Sequence, residues 1–172
     1  RSGEFETLAN VVEEVGIDAT RFFFLMRSSD SHLDFDLELA KKESPENPVF
    51  YIQYAYARIC SIFRAAAKQG LNLLAPADID LSLLKDEEEF SIIKKILAFT
   101  EVVEKSAKSL EVHRIAFYLQ DLVGAFHAYY SRHRVVSEDH ALSSARLFLM
   151  DCLRVTISNG LSVMGVSAPE RM

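Results

Sequence analysis

Tyr51, Tyr54 and Arg58 stand three and four residues apart, and so do His127, Tyr130 and Arg134. On a helix those steps put three side chains on one face. Rings and imidazoles stack on unstacked nucleobases, and guanidinium groups meet phosphates or base edges. The same spacing also fits the outer face of an ordinary amphipathic helix, with the arginine stem lying along apolar surface and its head in water. Two such faces in one chain bring the nucleic-acid reading level with the structural one.

Other chemistry finds little support. The sequence has no glycine-rich phosphate loop, no Gly-x-Ser-x-Gly elbow and no histidine pair at metal spacing. His127 and His133 share a predicted helix but lie about 240° apart around its axis. Cys60 and Cys152 are far apart, which indicates neither a zinc site nor a disulfide framework. Asp34, Asp36 and Glu38 alternate with apolar residues and would share one face of an extended segment. A calcium loop needs glycine and carbonyl ligands in a tight turn, so a solvated strand face is the better reading. No catalytic, cofactor-binding or metal-ligating residue is assigned.

The elements that must position the two faces follow from caps and periodicity. Asn47 and Pro48 read as N-cap and first helical residue, and Val49, Ile52, Tyr56, Ile59, Phe63 and Ala66 draw an apolar stripe ending near Gly70. Further on, Ile115, Leu119, Leu122, Phe126 and Tyr129 mark a helix over residues 112–133. Between them, residues 86–109 form another, with Phe90, Ile93, Leu97, Thr100 and Ala107 near one face and an acidic start suited to the helix dipole. Ser137, Glu138 and Asp139 open a last helix that is expected to stop at Gly160. Ahead of all these, residues 7–16 make a short helix stopped by Gly16. Asp18 caps a second, whose Phe22–Met26 run is apolar on nearly every side and must be covered on more than one face. Leu33 to Leu39 alternates as an extended segment with Leu33 and Phe35 buried, and turns helical at Leu37. The fold expected is all-α: an antiparallel helical bundle over 47–172, preceded by a short helical and extended linker segment over 1–46.

Composition agrees. A chain of 172 residues, 49% hydrophobic and with 6 glycines and 4 prolines, suits a helical globular protein. No apolar run approaches the roughly 18 residues of a membrane span, and no signal peptide opens the chain; a reducing cytoplasm is expected. The net charge of −6 argues against nucleic acid. Its distribution matters more. Residues 1–47 carry 5 basic against 11 acidic groups, whereas 48–81 and 113–136, which hold all 6 tyrosines, are each mildly positive.

Four blocks, in order, carry a family resemblance: DATRFFFLMRSSDSHLDFDLELA (18–40), NPVFYIQYAYARICSI (47–62), AFHAYYSRHRV (125–135) and NGLSVMGVSAPERM (159–172). With them the chain resembles the C-terminal part of bacterial-type arginyl-tRNA synthetases, which are class I aminoacyl-tRNA synthetases. Arg1-Ser2-Gly3 looks like the end of the family's Lys-Met-Ser-Lys loop, and the His-Ile-Gly-His motif is absent. Thr20 and Tyr56 depart from the residues usual at their positions. The second leaves the family's contacts at position 56 in doubt.

The resemblance implies a helical anticodon-binding domain, named for an Asp-Ala-Leu-Arg pattern, in an ATP- and Mg2+-dependent arginine–tRNA ligase whose catalytic domain lies outside this chain. The family's anticodon-loop contacts fall on Tyr51, Arg58, Tyr130 and Met172, and on Arg134, where residue type varies. Tyr54 and His127 join them because they share those faces. The implied partners are arginine tRNA and the catalytic domain of the same enzyme; the fragment is expected to be a monomer without cofactor or activity of its own. Two alternatives stay open: a helical protein-interaction module, and the equivalent domain of another class I synthetase.

Overall fold

A computed structural model describes residues 7–28, 31 and 35–172. Among them the chain forms six α-helices and no strand: α1 (Leu8–Leu25), α2 (Leu37–Ala40), α3 (Pro48–Lys68), α4 (Glu87–Ser109), α5 (His113–Arg132) and α6 (His140–Val163). Two short 3-10 turns, Pro76–Asp78 and Leu81–Leu83, cross from α3 to α4.

Local chemistry sets the boundaries. Asn47 accepts from the Val49 N–H at 3.2 Å, while its amide donates to the Ala40 and Lys42 carbonyls at 3.0 and 2.9 Å. One buried side chain thus closes α2 and opens α3. Gly70 takes a φ of 77° just beyond α3, as the stop there requires. α1 is broken at Gly16 (φ 81°), so it is two helices meeting at a kink, the first capped by Thr7. Asp36 caps α2, accepting from the Leu39 N–H at 2.9 Å; it is a helix cap and not part of a strand face. Phe35 is half-buried and packs between Phe23 and Phe24, with ring centroids 5.5 and 5.7 Å away. Leu33, Asp34 and Arg1-Ser2-Gly3 lie outside the described residues.

α3 to α6 alternate in direction. α4 and α5 are antiparallel, since Glu88 meets Arg132 near one end and Lys95 meets Asp121 and Tyr118 further along. α5 and α6 reverse again, with Arg146 beside Tyr129 and Gly160 against Leu119. α3 and α5 run the same way, since Tyr51 meets His127 and Arg58, further along α3, meets Tyr130, further along α5. The core lies between them: Ile52, Ile59, Leu119, Leu122, Phe126, Tyr129, Met150, Leu153 and Ile157 are all fully buried.

Two expectations need correction. Gly160 does not end α6, which continues to Val163 and stops at Gly165 (φ 66°). Gly160 lies inside the helix because a β-carbon there would come within 2.7 Å of Leu119, so its role is close helix approach. On α4, Phe90 and Leu97 are 47% and 74% exposed, and the buried residues are Glu89, Ile92 and Ser106. The buried face is rotated from the predicted one. Its cause is a charged group, Glu89, drawn inward.

Candidate nucleic-acid interface

Because α3 and α5 run in the same direction, their two polar–aromatic faces meet in register. Tyr51 stacks on His127 with ring centroids 4.6 Å apart, and Tyr54 lies 6.0 Å from the same imidazole. One turn further along, the Arg58 guanidinium sits 4.9 Å from the Tyr54 ring centroid and 5.5 Å from that of Tyr130. Phe50 extends the stack behind Tyr54, and Phe126 backs Tyr130 at 5.7 Å. Five of the seven residues singled out from sequence thus form one continuous surface, each half-buried.

Electrostatics gives this surface one sign. No carboxylate among the described residues pairs with Arg58 or Arg134. Burial pushes the His127 imidazole below its ordinary 6.5, and the nearby Arg58 charge pushes it the same way, although the Tyr51 backbone opposes them. His127 is therefore a neutral stacking ring at pH 7, and its Nε2 is buried without a hydrogen-bond partner. Burial likewise raises the Tyr51 phenol, which stays protonated. The face offers rings, an unpaired guanidinium and no negative group.

Arg134 follows α5, exposed, at the end of a groove that begins at Tyr130. Its backbone is pinned from behind, because Arg146 Nη1 donates to the Arg134 carbonyl at 3.0 Å. Arg146 is itself held by Glu89 at 2.7 Å and Asp86 at 2.8 Å. Glu89, 0% exposed, also accepts from the Tyr129 hydroxyl and from the Lys85 and Asp86 N–H groups. His133 stacks on Tyr129 and reaches Asp86 at 3.3 Å. Sequence reading missed this ionic hub. The Asp86-x-x-Glu89 capping-box spacing was the available signal, but nothing local points to Arg146, sixty residues past Asp86.

Residues 52–172 match the DALR anticodon binding domain. The chain belongs to this family. Arginine–tRNA ligases of Symbiobacterium thermophilum and Geobacter metallireducens are 53% and 54% identical over the whole chain. The chain spans 31% of the length of these relatives. Among solved structures, an arginyl-tRNA synthetase of Thermus thermophilus superposes with a TM-score of 0.78 at 28% identity, covering 98% of this chain and 28% of its own. A Campylobacter jejuni structure described as an arginyl-tRNA synthetase gives 0.85 at 30% identity over all of this chain and 37% of its own.

The DALR match begins after residues 18–21, and the structure gives that tetrapeptide a different task from the helix cap expected of Asp18. The Asp18 carboxylate accepts from Gln53 at 3.0 Å and from the Ser167 N–H at 3.2 Å, and also from the Ser167 hydroxyl. Arg21 donates to the Gly165 carbonyl at 2.7 Å. Two of the blocks that carried the resemblance, 18–40 and 159–172, thus grip each other across α3. The tail continues along the Gln53–Arg64 side of that helix, where Arg64 donates to the Glu170 carbonyl at 3.2 Å. That side is about 130° around α3 from the Tyr51–Arg58 face. Met172 is 56% exposed two residues further on, and no ring or cation contact joins it to the cluster. A cleft of about 570 Å3 lies at this clamp, away from the aromatic surface. Among the described residues no cluster of three or more His, Cys, Asp or Glu side chains is placed to hold a metal, and no helix is long and apolar enough to cross a membrane.

Proposed function

We propose that this chain reads the anticodon loop of arginine tRNA. The observation that carries the proposal is Arg58 held between Tyr54 and Tyr130 with no carboxylate partner. A guanidinium positioned by two rings, with no carboxylate beside it, keeps its N–H donors available to phosphate or a base edge. Tyr51 and Tyr130 offer stacking surfaces worth roughly 1–3 kcal/mol per unstacked base. His127 sets the position of Tyr51 from behind, and Arg134 adds a second cation. Met172 belongs to the interface on family resemblance, reaching the RNA from the tail side.

In this reading the chain does no chemistry. Residues 47–172 bind the loop, and residues 1–46 connect it to a catalytic domain that supplies ATP- and Mg2+-dependent aminoacylation. The chain works in the cytoplasm as part of a monomeric enzyme. The uncovered apolar side chains Leu8 and Phe24 support a neighbour on α1, and that neighbour is the catalytic domain.

The test is titration with arginine tRNA at low salt, competed by a transcript with altered anticodon bases. Preference for the native anticodon, with affinity falling as salt rises, is the expected result. Equal binding of both transcripts would overturn it.

A further inference from the structure

The α4 stripe expected from sequence, Phe90, Ile93 and Leu97, is turned outward, because Glu89 takes the inner face of that helix. It borders an apolar groove of about 210 Å3 between α4, α6 and the 3-10 turn at Leu81. We propose that this groove is a docking site for one short amphipathic α-helix of another protein, which sets an apolar residue into the groove and charged residues beside it. The groove lies between α4 and α6, whereas the RNA face lies between α3 and α5, and α1 packs on α2, α3 and α5. Neither the RNA nor a neighbour on α1 covers it.

Its shape is that of a socket. Leu84 and Leu149, both buried, form the floor, and Phe148 and Cys152 form the α6 wall. Leu81, Phe90 and Leu97 stand around the rim, 46%, 47% and 74% exposed. Rim side chains that reach this far into water are covered by a second surface and not by a small molecule inside the socket. The spacing selects a helix as that surface. Phe90, Ile93 and Leu97 follow the three- and four-residue steps of a helix-pair seam, and α6 supplies the other wall of a groove. Charge describes the helix further. Glu87 and Lys94, both exposed, lie one heptad apart on the flank of the seam opposite Ile96. Their neighbours Glu88 and Lys95 are engaged by Arg132 and Asp121, but among the described residues neither Glu87 nor Lys94 has an ion-pair partner. Glu101, next on that flank, pairs with Lys105, and across the groove Asp151 is taken by Arg154 at 2.6 Å. The open charges of the α4 rim thus run negative then positive, and they fit a helix that carries a base and an acid one heptad apart. A second copy fits poorly. The seam is about 10 Å long from Phe90 to Leu97, too small for a stable dimer, which buries roughly 800 Å2 on each partner. The net charge of −6 also opposes self-association.

The probe is a synthetic three-heptad helix with leucine at both seam positions, used below the concentration at which it self-associates. Its flanks carry alternating Lys and Glu, all Lys, or all Glu. Fluorescence polarisation reads binding, and alkylation of Cys152 locates it, because Cys152 lines the groove while Cys60 is buried. The alternating peptide should bind best and slow Cys152 alkylation about tenfold or more at saturation. Leu97→Ser and Phe90→Ser, at exposed positions that leave the buried core untouched, should each weaken binding about tenfold. Lys94→Glu should turn the preference to the all-Lys peptide, by about twofold for each exposed ion pair exchanged. Binding that ignores Leu97→Ser, or no binding of any peptide, overturns the proposal. So does either competing occupant. Self-association that Leu97→Ser abolishes assigns the groove to a second copy, and a Cys152 alkylated in this chain but not in the full-length parent assigns it to the rest of that parent.

Discussion

Among the described residues two arginines lie over tyrosines, and they are opposites. Arg146 sits 6.0 Å from the Tyr129 ring with Glu89 at 2.7 Å, Asp86 at 2.8 Å and the Arg134 carbonyl at 3.0 Å. Arg58 sits between Tyr54 and Tyr130 at 4.9 and 5.5 Å with no acid beside it. The first is inside the bundle and saturated. Its charge is spent joining the starts of α4 and α6 to the end of α5. The second is at the surface, fixed by rings that hold it in place but do not neutralise it. An arginine with satisfied charge builds the fold; one that is positioned but unsatisfied is available to an anionic ligand.

Breaking the saturated arginine should have the largest effect. Arg146→Met leaves Glu89 as an uncompensated buried carboxylate, a defect that costs about 3–5 kcal/mol. At this chain length each kcal/mol moves the melting point by about 2–4 °C, so thermal unfolding should show a drop on the order of 10 °C. A change of only a degree or two would mean that Glu89 is not held by Arg146. Next comes Tyr51→Ala. The Tyr51 ring is packed on the core and stacked on His127, so its loss should cost about 2 kcal/mol of stability, less than a fully buried ring, besides weakening RNA binding. Arg58→Ala should separate the two properties. Stability should change by less than about 1 kcal/mol, the value of exposed cation–π contacts, while tRNA affinity falls about tenfold or more. Arg58→Lys should recover little, because an ammonium lacks the flat faces that the two rings hold. If Arg58→Ala melted like Arg146→Met, the contrast between the two would be lost.

The same contrast explains what was legible in the sequence. The surface arginine could be found because Tyr51, Tyr54 and Arg58 occupy one helix at three- and four-residue steps, and helix geometry turns spacing into a face. The cap at Asn47 and the stop at Gly70 were legible for the same reason: each acts within a few residues. That α3 and α5 run in one direction, so that Arg58 reaches Tyr130, is a property of the whole bundle. The buried arginine was invisible because its partners come from another helix. Glu89 looked like one of four acidic residues at a helix start. Only the distant Arg146 makes it a core residue, and that pairing turned α4 so that Phe90 and Leu97 face outward. Asp18 misled in the same way. It has the look of a cap, but its carboxylate is taken by Gln53 and Ser167 from far along the chain.

The smallest effect probes the unsatisfied charge itself. His127 lies below its ordinary 6.5 first because burial removes water from the ring, and second because Arg58 is close. In the unfolded chain the ring takes its proton near that ordinary value, before the folded ring does. Stability should therefore be independent of His127 above pH 6.5 and decline as pH falls below it, until the folded ring also protonates. His127→Phe should flatten that part of the stability–pH curve. Arg58→Ala should raise the His127 value without restoring it fully, since burial remains, and ring-proton NMR titration would follow the change. Arg146→Met should leave it unmoved, because that charge is consumed by Glu89 and Asp86. A His127 that responds to neither arginine would mean that the Arg58 charge is screened by solvent, and its value to a phosphate or base edge would be correspondingly small.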